Sequence, residues 1–235
     1  MRILILSVCF IVTKGMTLAQ PIIYLLPGQG ADERLFNKIR IEGEYAIQPI
    51  EYVDPEKGMS MSDYAHLLAD QIDSSQPSIL IGVSLGGMLA TELADLIPVE
   101  KVVIISSAKG KMELPPRYTL QRKLPLYKIV PGQLIRFGAR VLQPILEPAG
   151  KENNHLFQQM LQDKSSRFLK EATAMILEWE RTTHSDKIIH IHGDKDHTLP
   201  IKHINYDHLI EGGEHVMVMT RAEELNELLK KILAE

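Results

Sequence analysis

The chain has 235 residues, with 26 Lys and Arg against 30 Asp and Glu, and a formal net charge of −4. Its hydrophobic share of 45% and charged share of 24% are ordinary for a single globular domain. This balance gives no reason to expect nucleic acid as a partner, and no apolar run has the length needed for stable membrane insertion. The single cysteine, Cys9, offers no disulfide framework, metal cluster or cysteine nucleophile once residues 1–19 are removed as predicted below.

The amino terminus has the three parts of a secretory signal. Arg2 precedes an apolar run from Ile3 to Val12, and Thr17-Leu18-Ala19 offers small residues at a cleavage site. Two other interpretations stay open: the run is a first strand, or translation starts at Met16. The pattern favours a signal peptide over residues 1–19 and a periplasmic or secreted protein. A start at Met16 would place the protein in the cytoplasm instead.

The first strand of the main domain is predicted at Pro21–Leu26, and the glycine-rich loop Pro27–Asp32 follows it. Backbone N–H groups in such a loop can hold a developing oxyanion, and Asp32 can cap a following helix. A phosphate-binding loop is the alternative interpretation. The loop lacks a Gly-Lys-Ser/Thr ending and a third glycine of a dinucleotide motif, so nucleotide binding is not expected.

A second strand is predicted at Ala46–Val53, near a sheet edge because Pro49 interrupts it. Ser60-x-x-Asp63 then has the form of a capping box that begins a helix. Its apolar side chains recur at helical spacing, at Met61, Tyr64, Leu68 and Ile72.

The segment Ser78–Ala90 carries the strongest chemical signal. The apolar run Ile79–Ile81 is typical of a buried strand, and Met88, Leu89, Leu93 and Leu96 fit one face of a helix. Between them lies Gly82-x-Ser84-x-Gly86. A strand that turns into a helix within two residues strains its corner residue and exposes that side chain, here a serine hydroxyl. A tight turn without chemistry is the plainer interpretation of the motif taken alone.

Alternation of strands and helices continues to Val102–Ile105, which predicts a mostly parallel, doubly wound α/β sheet. Prolines then interrupt the pattern, so residues 108–186 are predicted to form a helical insertion between two core segments, 20–107 and 187–235. Helical stretches are expected around Leu156–Leu161 and Phe168–Trp179.

The first part of this insertion is basic. Between Lys109 and Arg140 eight Lys and Arg residues stand against one acid, Glu113. A solvated helical face is the ordinary interpretation, and a docking surface for an anionic substrate or carrier is the sharper one.

The strand pattern returns at Ile188–His192 and is followed by two aspartates, Asp194 and Asp196. A carboxylate at a strand end can orient a histidine that a later loop supplies. Asp194 directly follows a glycine and can hydrogen-bond its own turn. Asp196 lies two residues further out, and we predict that it is the acid.

A last strand is predicted at Ile204–Leu209, and His215 follows on a glycine-rich loop from which it can reach the nucleophile. Thr220-x-x-Glu223 is predicted to cap a terminal helix. Of the other histidines, His197 is the one serious alternative to His215, but it lies beside the acid. We therefore predict His215 as the base.

The order Ser84, Asp196, His215, with an oxyanion loop after an early strand, resembles the α/β-hydrolase fold family. The resemblance covers nearly the whole chain after the amino-terminal segment, and residues 108–186 are similar to that family's helical cap. It implies Ser84 as nucleophile, His215 as general base and Asp196 as orienting acid. It also implies the backbone N–H groups of Gln29 and Leu85 as oxyanion donors, although many members have His-Gly where this chain has Pro27-Gly28.

The resemblance implies a serine esterase that forms an acyl-enzyme on a small-molecule acyl ester, without a metal or organic cofactor. A thioesterase, a lactonase or a carbon–carbon hydrolase would use the same three residues, so these alternatives stay open. A non-catalytic binding module that keeps the fold is the alternative of a different class.

Overall fold

The computed structural model describes residues 20–146 and 149–235, so the predicted signal peptide lies outside the described residues. One sheet of six parallel strands has the order β2-β1-β3-β4-β5-β6. The strands are β1 (Ile22–Leu26), β2 (Ala46–Pro49), β3 (Ser78–Val83), β4 (Lys101–Ile105), β5 (Ile188–Gly193) and β6 (His208–Ile210). The predicted α/β sheet is therefore confirmed, and within these residues every strand pairing is parallel.

Helices cover both faces of this sheet. They are α1 (Met61–Ala69), α2 (Leu85–Leu96), α3 (Pro116–Lys123), α4 (Gly132–Leu146), α5 (Gly150–Asp163), α6 (Ser166–Leu177), α7 (Met217–Thr220) and α8 (Ala222–Ala234). Short 3-10 helices occupy Glu33–Phe36, Lys111–Glu113, Leu126–Lys128 and Ile201–His203. We refer to α3–α6, which lie between β4 and β5, as the inserted helices. Within the described ranges, no helix has both the length and the apolar character needed to cross a membrane.

Side chains of successive residues on the buried strands point to opposite faces of the sheet, so the hydrophobic core has two parts. On β4, Val102 and Ile104 face α1 and α2, whereas Val103 and Ile105 face α7 and α8. Strands with both faces covered are buried throughout, which explains why β3 and β4 have nearly continuous apolar sequences.

Two predicted helix starts are confirmed by their caps. Ser60 Oγ accepts a hydrogen bond from the Asp63 backbone N–H at 3.1 Å and begins α1. Asp32 accepts from the Arg34 backbone N–H at 3.0 Å, but it begins only the 3-10 helix Glu33–Phe36.

Three predictions on element limits are wrong. The strand expected at Ala46–Val53 ends at Pro49, although it does lie at the sheet edge as predicted. The last strand covers His208–Ile210 instead of Ile204–Leu209, since residues 204–207, after the 3-10 helix Ile201–His203, form an irregular loop. The predicted cap at Thr220 also fails: its hydroxyl donates to Glu214 Oε2, and α8 begins after Arg221 without a side-chain cap.

The strand order positions the site. The chain leaves β1 toward β2 on one side and leaves β3 toward β4 on the other, so a crevice opens between the carboxyl ends of β1 and β3. Parallel α/β sheets bind ligands at such a reversal of strand order. The glycine-rich loop Pro27–Asp32 follows β1, and Ser84 follows β3.

Candidate active site

Ser84 occupies the strained corner between β3 and α2. Its φ of 53° and ψ of −118° lie in a region that residues other than glycine rarely adopt. A Cβ atom on Gly82 would overlap the Gly86 carbonyl, and one on Gly86 would overlap the Leu26 carbonyl. The two glycines are therefore required by close backbone packing, and this packing over-determines the conformation of Ser84.

The structure brings Ser84, His215 and Asp196 into one line. His215 Nε2 lies 2.9 Å from Ser84 Oγ, and His215 Nδ1 lies 2.8 Å from Asp196 Oδ2. His215 comes from the loop between β6 and α7, and Asp196 comes from the loop after β5. With an ionised Asp196, Nδ1 carries a proton and Nε2 is left to accept one from the serine hydroxyl.

The neighbouring aspartate, Asp194, hydrogen-bonds a different loop and not its own turn. Asp194 Oδ1 accepts a hydrogen bond from the Gly212 backbone N–H at 2.6 Å. This bond ties the loop after β5 to the loop that carries His215.

Asp196 is held by more than His215. Its Oδ1 accepts from the Leu199 backbone N–H at 2.6 Å, and His192 Nε2 lies 3.5 Å from its Oδ2. Burial alone would raise the pKa of Asp196, but the two histidines and the Leu199 N–H together hold that pKa below its ordinary value. The carboxylate is thus charged at neutral pH although its side chain is fully buried.

Two buried histidines extend this network away from Ser84. His192 Nε2 lies 2.8 Å from the Leu199 carbonyl oxygen, so we assign the proton of the neutral ring to Nε2. His192 Nδ1 lies 3.3 Å from His190 Nε2, and His190 Nε2 accepts a hydrogen bond from the Ser107 backbone N–H at 3.4 Å. The strand predicted at Ile188–His192 gave neither residue a role, and the His-x-His pair directly before the acid loop is the signal that could have found them.

Ser107, which follows β4, supports the corner, and the sequence patterns did not predict this role. Ser107 Oγ donates to the Ser84 carbonyl at 2.7 Å, and the Ser84 backbone N–H donates to the Ile105 carbonyl at 3.0 Å. Ser106 is the other non-glycine residue with positive φ, at 47°, in the described part of the chain. Carboxyl ends of neighbouring parallel strands meet at one edge, so serines directly after β4 were a usable signal.

The loop after β1 lies against the corner. A Cβ on Gly28 would approach Ser84 Cβ to 3.4 Å, and the Pro27 carbonyl accepts from the Tyr52 hydroxyl at 2.9 Å. The Gln29 side chain points away, donating to the Leu169 carbonyl at 3.0 Å and to Thr173 Oγ1 at 2.8 Å on α6. Leu85 is the first residue of α2, where backbone N–H groups have no carbonyl partner inside the helix.

A cavity of about 300 Å³ opens over Ser84 and His215. Core elements and inserted helices both contribute to its wall. Apolar side chains dominate the wall: Leu35, Met88, Leu142, Phe157, Ile176, Leu199, Val216 and Val218. No Asp, Glu, Lys or Arg residue is part of the described wall, so the surroundings of Ser84 favour a neutral, apolar group.

The basic residues expected to attract an anionic substrate lie elsewhere. Arg122 pairs with Glu180, and Lys128 pairs with Glu178 at 2.7 Å. The carboxylates come from the segment after α6, which the local count between Lys109 and Arg140 did not include. The described cavity wall, which has no Lys or Arg, therefore does not support the expectation of an anionic substrate.

For metal chemistry, the described residues contain no group of three or more His, Cys, Asp or Glu side chains that could hold an ion.

Comparison with known proteins identifies the class. Residues 15–228 match the sequence profile described as the alpha/beta hydrolase family, which is most of the chain. The chain therefore belongs to the alpha/beta hydrolase family. A search of curated proteins gives no significant match.

Solved structures with the same fold carry several activities in their names. An esterase from Exiguobacterium antarcticum is 17% identical, with a TM-score of 0.67 and 93% of each chain covered. MenH from S. aureus is 16% identical, with a TM-score of 0.67 and coverage of 94% of this chain and 95% of that one. Est816, named as an N-acyl homoserine lactone degrading enzyme, is 18% identical, with a TM-score of 0.59 and coverage of 90% and 92%. At such identities the likeness establishes the fold and leaves the substrate open.

Proposed function

We propose that this protein is a serine hydrolase that cleaves carboxylic esters with an apolar acyl group through an acyl-enzyme on Ser84. The observation that carries the proposal is the pair of short contacts, 2.9 Å from His215 Nε2 to Ser84 Oγ and 2.8 Å from His215 Nδ1 to Asp196. Ser84 and His215 line an apolar cavity, and Asp196 is buried behind His215. We further propose that the inserted helices are the cap that selects the substrate.

In the proposed first step, Ser84 Oγ attacks the ester carbonyl carbon while its proton passes to His215 Nε2. The carbonyl electron pair moves to oxygen, and the backbone N–H groups of Gln29 and Leu85 donate to that oxyanion. The amino end of α2 adds favourable electrostatics there. Collapse of the intermediate breaks the bond to the alkoxide, which takes the proton from His215.

In the second step, water gives a proton to His215 Nε2 and attacks the acyl carbon. The new tetrahedral intermediate collapses, Ser84 Oγ recovers the proton, and the carboxylic acid leaves. Asp196 stays ionised throughout and stabilises the charged imidazole. A thioester or lactone would follow the same steps with a different leaving group, so the class of ester is decided by assay.

The proposal is tested with an alkyl fluorophosphonate probe and p-nitrophenyl esters of increasing acyl length. We expect labelling and turnover in the native protein, and loss of both in Ser84→Ala with an unchanged circular dichroism spectrum. Ser106→Ala is the matched control, because Ser106 is a nearby serine that also has positive φ. Labelling that persists in Ser84→Ala would contradict the proposal. A folded native protein without labelling or turnover would point to a binding module.

A further inference from the structure

The inserted helices carry an unusual concentration of exposed apolar side chains. Large apolar residues with exposed fractions between 44% and 77% occur eight times in residues 117–142: Leu120, Leu124, Leu126, Ile129, Leu134, Phe137, Val141 and Leu142. We call these eight residues the outer apolar face. Leu134, Phe137 and Val141 recur at a helical spacing on α4. Exposed apolar patches of this kind mark interaction sites on proteins that are otherwise water-soluble.

The outer apolar face combines the free side of α4 with apolar residues at the mouths of cavities. α3, α4 and the 3-10 helix Leu126–Lys128 all contact α6. Ile135 and Ala139 take that inner position on α4 and pack against the core. Leu134, Phe137 and Val141 lie on a different side of α4, and core packing does not account for their exposure. Leu142 lines the Ser84 cavity. Leu120, Leu124 and Leu126 line a cavity to which α6 also contributes.

The same residues 117–142 include no acid and six basic residues: Arg117, Arg122, Lys123, Lys128, Arg136 and Arg140. Glutamates outside the segment pair with Arg122 and Lys128. No carboxylate of the described residues lies within ion-pair distance of exposed Lys123 or Arg140. Apolar and basic side chains in one exposed helical segment are the composition of a surface that binds anionic lipid headgroups.

Adjacent apolar cavities lie between this surface and Ser84. The Ser84 cavity shares Gln29, Gly138, Ala139, Leu142 and Phe157 with a second cavity of about 310 Å³. The second shares Ile135 and Thr173 with a third, of about 430 Å³. The wall of the third includes Leu120, Leu124 and Leu126 of the outer apolar face. An alkyl chain that leaves a lipid layer at this surface would meet apolar walls on its way to Ser84.

We propose that the outer apolar face binds the surface of an anionic phospholipid bilayer. Leu134, Phe137 and Val141 insert at the boundary between headgroups and acyl chains, and Lys123 and Arg140 contact anionic headgroups. A second copy of the chain fits less well. A two-fold contact would bring this segment, which has no acid of its own, against itself and oppose like charges. Binding to the bilayer is separate from the proposed chemistry and does not depend on Ser84.

The test measures co-sedimentation of the full chain with vesicles, using Ser84→Ala so that no lipid can be hydrolysed. Vesicles of phosphatidylcholine alone are compared with vesicles that also contain phosphatidylglycerol. We expect binding to the mixed vesicles that weakens as salt rises. The double variant Leu134→Ser/Phe137→Ser should lose at least about tenfold in affinity for both vesicle types. Lys123→Gln/Arg140→Gln should lose about tenfold for the mixed vesicles only.

The matched control is Ile47→Ser/Val53→Ser, which removes two apolar side chains that are each 49% exposed and lie outside the inserted helices. This variant should bind like the parent. Absence of binding to mixed vesicles, or equal loss in the control, would overturn the proposal. A dimer in solution, detected by light scattering and dissociated by Leu134→Ser/Phe137→Ser, would also overturn it, because a second copy of the chain would then cover the outer apolar face. The proposed esterase activity is measured separately, on soluble esters and with Ser84 in place. Failure of vesicle binding would therefore leave the proposed esterase function standing.

Discussion

His215 Nδ1 lies 2.8 Å from Asp196 Oδ2, although each residue leaves a different strand and the two are 19 positions apart in the chain. Asp194, two residues before Asp196, hydrogen-bonds Gly212 and holds together the two loops that create this contact. One aspartate thus orients the histidine, and the other orients the loops.

The two aspartates should differ in their effect on turnover. Asp196→Asn removes the charge that orients and stabilises the imidazole, and we expect kcat for p-nitrophenyl esters to fall by about 10⁴-fold. Asp194→Asn keeps an oxygen that can accept from Gly212, so kcat should change by no more than about threefold and the free energy of unfolding by about 1 kcal/mol. Steady-state kinetics and urea denaturation of both variants measure this. The reverse ranking would show that Asp194 is the acid.

Gly138 should control acyl chain length. It belongs to the walls of two adjacent cavities, and a Cβ built on it meets no atom within 4 Å. Gly138→Leu should therefore fold and fill space that a long acyl chain needs. We expect kcat/KM for p-nitrophenyl octanoate to fall at least about tenfold, with little change for the acetate ester. Gly138→Ala is the graded control and should lie between them; an equal loss for both esters would place Gly138 outside the acyl path.

Stability should depend on pH through the two buried histidines. Burial lowers the pKa of both His190 and His192, and His192 and Lys109 further lower the pKa of His190. Below about pH 6.5 the unfolded chain therefore binds protons that the folded chain does not, and the free energy of unfolding falls as the pH falls. Each histidine contributes up to about 1.4 kcal/mol per pH unit to this slope.

Urea denaturation between about pH 5.5 and 7.5 tests this dependence. His190→Phe should flatten the slope even where the variant is less stable at every pH. His66→Phe is the control, because His66 lies on the exposed side of α1. An unchanged slope in His190→Phe would mean that His190 binds a proton in the folded chain.

The amino-terminal prediction concerns residues 1–19. Expressed in a bacterium with its native start, the protein should be exported and begin near Gln20, since Arg2, the apolar run Ile3–Val12 and Ala19 form a signal pattern. Amino-terminal sequencing and cell fractionation measure this. A cytoplasmic protein with Met1 intact, or one that begins at Met16, would contradict it.

Local sequence patterns correctly predicted the features that depend only on residues close together in the chain. The apolar run at Ile79–Ile81 predicted a buried strand, Ser60-x-x-Asp63 predicted a helix start, and the glycines around Ser84 predicted a strained corner. Each of these results from residues a few positions apart. Element limits at β6 and α8 were harder, because hydrogen bonds such as that from Thr220 to Glu214 compete with the expected cap.

Other features depend on strand order and on loops that meet only in the folded chain. Ser84 and His215 are 131 positions apart, and their contact exists because β3 and the loop after β6 share the carboxyl edge of one sheet. The same edge brings Ser107 to the corner and His192 to Asp196. Sequence alone determined which residue types were available for this chemistry. The tertiary structure decided which of them touch. It also placed the basic residues of the inserted helices outside the wall of the apolar cavity and paired two of them with Glu178 and Glu180. A local charge count could not predict these ion pairs, because the two glutamates lie in a later segment of the chain.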